Sequence, residues 1–123
     1  MGTQMRTALP MSRKLCSLGA MVLMATGCAP ANPDERGRQL LAQHHCGSCH
    51  VIPGVPAAQG QVAITLKAFA RRSYIAGRVP NTDENLARWL VEPAALVPGT
   101  LMPAMGVSPT DAREMTAYLR SLR

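Results

Sequence analysis

The chain has 123 residues, a formal net charge of +6 at pH 7, and few charged (16%) or aromatic (3%) side chains. One domain is expected at this length. The basic residues form no stripe interleaved with aromatics, which sets aside nucleic acid as a partner.

The N-terminus reads as an export signal over residues 1–27. Arg6, Arg13 and Lys14 make a basic region, and Leu15 to Ala25 an apolar run too short to span a bilayer comfortably. The small residues Ala25-Thr26-Gly27 precede Cys28. Two readings of the cleavage site stand. Thr26-Gly27-Cys28 resembles a bacterial lipobox, in which Cys28 is lipidated and anchors the chain to a membrane; Ala25 replaces its usual leucine. Alternatively, Ala29-Pro30-Ala31 directs ordinary cleavage and a soluble product. The lipoprotein is preferred because a spare cysteine in an exported protein needs a use. Either way the mature protein is expected on the periplasmic side. Losing Arg6, Arg13 and Lys14 with the signal reduces the charge from +6 to +3.

Residues 28–34 read as a tether, with two prolines and no periodicity. Asp34 is the expected cap of a first helix from Glu35 to His45, with Gly37, Leu40 and Leu41 on one face. His44 and His45 could each offer a sixth iron ligand, but they sit beside Cys46 on the attachment side, so exposed helical positions are expected.

Cys46-Gly47-Ser48-Cys49-His50 is C-x-x-C-H, the attachment motif of a c-type haem. Its two thiols can add to the two vinyl groups of a haem, and one turn places both sulfurs along one haem edge. The adjoining imidazole can then rise beneath the iron as proximal ligand. Gly47 and Ser48 are small enough for the backbone to approach the porphyrin. A thioredoxin-like redox pair would want a βαβ pattern, and a zinc site a second ligand pair; neither is present. With Cys16 lost in the signal and Cys28 lipidated, no cysteine remains for a disulfide. A mature chain of about 95 residues has a thin core of its own, and a buried haem would supply the missing apolar bulk.

Val51 to Gly60 carries Pro53, Gly54, Pro56 and Gly60 and reads as a loop. Gln61 to Ala70 is apolar without clear period: a short helix, or a segment wrapped against the haem. Arg71, Arg72 and Arg78 form a local basic cluster, either a solvated loop or a propionate or partner contact. Pro80 to Glu84 starts a helix with Asn81 as cap, running to about Val91 before Pro93, with Leu86, Trp89 and Leu90 on its apolar face. After the irregular stretch Ala94–Val107, Ser108-Pro109-Thr110-Asp111 starts the last helix. Its buried stripe is Ala112, Met115, Tyr118, Leu119 and Leu122. The fold class is all-α, three to four helices and long loops wrapped around one covalent haem.

From residue 35 to 123 the chain resembles a class I c-type cytochrome, of the small exported kind associated with bacterial respiratory oxidases. The resemblance rests on C-x-x-C-H, Tyr74-Ile75-Ala76-Gly77, Asn85 to Leu90, Thr100-Leu101-Met102-Pro103 and Ala117-Tyr118-Leu119. It implies that the first and last helices cross with Gly37 against Tyr118 or Leu119. It also implies that Tyr74 and Trp89 hydrogen-bond a haem propionate. In one place the chain departs from the family: Ala63-Ile64 stands where Gly-Pro is usual. The proline carbonyl there accepts a hydrogen bond from the proximal histidine, and here only the Ile64 carbonyl is left for that role.

Met102 is the expected sixth ligand. Met115 lies on the stripe of the last helix, while Met102 and Met105 share an irregular loop. Pro103 holds Met102 extended, and the family tolerates leucine at the position of Met105. The function expected is electron transfer between a redox donor and acceptor in a respiratory chain, an oxidase among them. The alternatives are an open-site haem enzyme (a peroxidase or gas binder) and a fixed haem subunit of an oxidase or dehydrogenase complex.

Overall fold

A computed structural model describes residues 32–123; the expected export signal and Cys28 lie outside the described residues. Four α-helices carry the domain: α1 (Pro33–Gln43), α2 (Asp83–Val91), α3 (Pro93–Leu96) and α4 (Pro109–Ser121). Single 3₁₀ turns cover Cys46–Ser48 and Phe69–Arg71.

The expected helices form, with shifts at their N-termini. The cap of α1 is Asn32, not Asp34: its side chain accepts from the Asp34 N–H, and Pro33 takes the first turn, where no N–H is needed. The cap of α2 is Thr82, not Asn81, with the Asn85 N–H on its hydroxyl. Asn81 instead clamps the loop before it, its amide donating to the Phe69 and Arg72 carbonyls. Ser108 caps α4, bonding the Asp111 N–H at 3.1 Å. Helix α1 ends two residues earlier than expected, at Gln43. His44 is its C-cap and His45 turns left-handed (φ 54°), which redirects the chain into the haem motif.

Helix α1 lies directly on α4. A Cβ on Gly37 would sit 2.8 Å from the Tyr118 Cβ and collide with the Glu114 carbonyl. Only glycine lets the two backbones come this close, and Tyr118 is the aromatic partner. The buried stripe of α4 is Ala112, Met115, Thr116, Tyr118 and Leu119, closed against Leu40 and Leu41 of α1 and Leu86, Trp89 and Leu90 of α2; Leu122, expected on the stripe, follows the helix as its C-cap and is half-buried, because the helix stops at Ser121. Each such aliphatic side chain contributes about 1.5–3 kcal/mol on burial.

Between the haem motif and α2 the chain is mostly irregular. Residues 59–66 run back along the motif through Gly60 N–H to Gly47 C=O, Ala63 N–H to Cys49 C=O and Leu66 N–H to Val51 C=O. Of the two readings of this stretch the wrapped segment is found, followed by a 3₁₀ turn. A small antiparallel hairpin then pairs β1 (Tyr74–Ile75) with β2 (Val79–Pro80). It was not expected, because strands of two residues carry no alternation to read.

Candidate functional site

The residues singled out from the sequence meet in one place. Cys46, Cys49, His50, Tyr74, Trp89 and Met102 all line a single cavity of about 420 Å³, within the size range of small-ligand sites. Its walls are mainly apolar, with Leu41, Leu66, Phe69 and Leu86 among them. Met105 does not line it and is 38% exposed.

The left-handed turn at His45 delivers the motif to the cavity edge. Gly47 is small for a different reason than expected: a Cβ there would lie 2.5 Å from the Ala58 Cα. The close neighbour is the loop behind the motif, not the cavity side. Cys46 and Cys49 are free thiols, and burial pushes the Cys46 thiol up, so it stays protonated at neutral pH. His50 is oriented by its backbone neighbour, with Nδ1 lying 2.6 Å from the Ile64 carbonyl. A carbonyl only accepts, so Nδ1 carries the proton and Nε2 keeps its lone pair for a metal.

Trp89 is buried and Tyr74 is 56% exposed. Both line the cavity, and each side chain carries a polar group on an apolar ring. Among the described residues, Arg72 is the one permanently charged side chain on the wall. Its guanidinium donates to the Thr65 carbonyl and lies 5.6 Å from the centre of the Phe69 ring. No carboxylate pairs with it among the described residues. Arg71 and Arg78 are exposed and do not reach the wall.

A c-type haem fits these residues. Among the described residues, four of the five large apolar side chains left exposed (Val62, Ile64, Tyr74 and Leu101) lie on this cavity's wall. Exposed apolar surface gathered at one concavity is what a large apolar ligand would cover. The donor set agrees: two unpaired thiols beside an imidazole with a free Nε2, and a thioether on the same wall. A wider groove of about 730 Å³ on the outer side of α2 and α4 gathers no such set of groups.

Sequence reasoning missed His44. Its ring is half-buried rather than exposed, and Nδ1 lies 3.1 Å from the Met105 carbonyl, 61 residues away. Nothing in the local pattern pairs these two positions.

Residues 35–123 match the family described as Cytochrome c. Among curated proteins the chain is similar to cytochrome c oxidase subunit 2 of Alkalihalophilus pseudofirmus, 38% identical over 90 residues, 72% of this chain and 25% of that protein. The subunit 2 of Bacillus subtilis is 30% identical over 95 residues, 72% of this chain and 26% of its own. That of Bacillus sp. (strain PS3) is 29% identical over 96 residues, 75% of this chain and 27% of its own. The chain thus spans about a quarter of the length of the relatives it matches. With the family matched over most of the chain, on the helices and the cavity just described, this protein belongs to the cytochrome c family.

Proposed function

We propose that the chain is an electron carrier in which Cys46 and Cys49 would hold one covalent haem c and His50 and Met102 would ligate its iron. When bound, the haem supplies the ferrous/ferric couple. The chain supplies everything else. His50 gives Nε2 to the iron while the Ile64 carbonyl fixes its tautomer and keeps the ring basic. Met102 gives a soft thioether, which favours the reduced form and raises the potential. Leu41, Leu66, Phe69, Leu86 and Trp89 keep water off the porphyrin. Trp89 and Tyr74 offer donors to the propionates, and Arg72, a cation without a carboxylate, offers the counter-charge.

The observation that carries this reading is the meeting of the two thiols, the oriented imidazole and Met102 on one apolar wall. Met102 on that wall also speaks against an open sixth position. Spectroscopy of the ferric protein tests the ligand. Met102→Ala should abolish the Fe–S charge-transfer band, lower the potential and admit cyanide; Met105→Leu should change none of these. The reverse pattern would overturn the assignment.

A second reading has one observation in its favour. The similar proteins are named as oxidase subunits, so the carrier would be held within, or serve, a terminal oxidase. Co-purification with an oxidase from solubilised membranes tests it. We further propose export to the periplasmic side with Cys28 lipidated. Mass spectrometry of the mature N-terminus decides this, and a free Asn32 would mean simple cleavage.

A further inference from the structure

The loop that carries Met102 is weakly tied. From Pro103 to Gly106 every residue is exposed, and the segment has no regular structure. Its two ends are anchored by packing. Met102 sits against the core cluster and Val107 is buried within it. Between these ends Gly106 adopts φ 69°, in the left-handed region that favours glycine. The Met102 N–H reaches the Thr100 hydroxyl two residues back, a bond local to the loop. Among the described residues, one hydrogen bond joins this stretch to another part of the molecule: His44 Nδ1 to the Met105 carbonyl, 3.1 Å.

His44 is well placed to hold something. It is the C-cap of α1, its backbone N–H bonded to the Leu40 carbonyl, and it stands two residues before Cys46. Its backbone is therefore fixed by the helix on one side and the haem motif on the other. Nδ1 faces a carbonyl and must be the donor, which leaves Nε2 outside the contact. The Met105 side chain takes no part and is partly exposed. Position 105 thus serves through its carbonyl alone.

We propose that His44 is a positioning residue for the sixth ligand. It is a latch from the attachment side of the haem motif to the methionine loop, and it resists release of the Met102 thioether from ferric iron. The proposal rests on Met102 being that ligand. Release of Met102 requires residues 101–106 to swing outward. With the middle of the loop pinned to His44, that motion must also break the latch. Without the latch, packing at the two ends is all that opposes it. One neutral hydrogen bond contributes a modest amount, so the equilibrium between closed and open loop should move by about fivefold, equivalent to about 1 kcal/mol.

Cyanide binding to the ferric holoprotein reads this equilibrium, since cyanide reaches the iron only when the thioether has left. His44→Ala should raise the apparent cyanide affinity about fivefold and speed amide exchange at residues 104–106. His44→Asn keeps a donor close to the position of Nδ1 and should restore most of the wild-type affinity. Met102→Ala is the control, and adding His44→Ala to it should change cyanide binding no further. If Met102→Ala fails to open the iron, the ligand assignment falls, and the latch with it. If Met102→Ala opens the iron while His44→Ala binds cyanide as the wild type does, the latch alone is refuted. An Asn variant that behaves as the Ala variant would also refute it, reducing His44 to packing.

Discussion

The Tyr118 hydroxyl donates a 2.6 Å hydrogen bond to the Pro53 carbonyl, 65 residues away. The same residue packs under Gly37, so one side chain joins the crossing of α1 and α4 to the loop behind the haem motif. Burial raises the phenol above its ordinary value of 10.0. The neutral donor form is therefore the one the fold favours. The stability it contributes is complete below pH 10 and is lost as pH rises through the raised value. Tyr118→Phe should cost about 1–2 kcal/mol at neutral pH. It should also flatten the alkaline limb of a plot of melting temperature against pH. An alkaline limb unchanged by the substitution would refute the role.

Gly37→Ala tests the helix crossing. The new methyl meets the Glu114 carbonyl and the Tyr118 Cβ, both rigid, so α1 and α4 must separate. A loss of about 1–3 kcal/mol is expected in denaturant unfolding, against the small gain Ala brings in an unconstrained helix. Gain instead of loss would mean that the helices separate at no cost.

Covalent attachment is tested on denaturing gels stained for haem. Cys46→Ala and Cys49→Ala should each leave one thioether. The double variant should lose covalent haem altogether, and Cys28→Ala should keep it. Staining that survives in the double variant would end the c-type reading.

Tyr74→Phe removes the polar tip and keeps the ring, while Trp89→Phe puts a smaller aromatic ring without an N–H in place of the indole. If those tips reach a propionate, each change should shift the potential measured by optical redox titration. The buried Trp89 should show the larger effect, because a hydrogen bond gains strength away from water. Unchanged potentials and melting temperatures would leave both residues as packing.

The sequence was legible where one residue type does one job at fixed spacing. C-x-x-C-H, Met102 before Pro103 and the stripe of α4 need no partner to be recognised. Caps were harder: at Asp34 and Asn81 the true cap lay one or two residues off, because neighbouring polar side chains compete for the same N–H groups. The hairpin at Tyr74–Pro80 is too short to show alternation, and the wrapped course of residues 59–66 is held by main-chain bonds to carbonyls of the haem motif and Val51, which leave no periodicity. Gly47 was recognised as small, but its neighbour Ala58 belongs to tertiary structure. His44 was misjudged for the same reason, since its partner is a carbonyl, and every residue has one.

The contact between His50 and Ile64 bears on how such proteins diverge. The acceptor is a main-chain carbonyl, so selection at position 64 acts on the path of the chain and hardly on the side chain. Exchanging Gly-Pro for Ala63-Ile64 looks drastic in an alignment, yet the oxygen remains beside the imidazole. In this chain the histidine thus stays aimed with no proline at position 64, since the oxygen alone does the aiming.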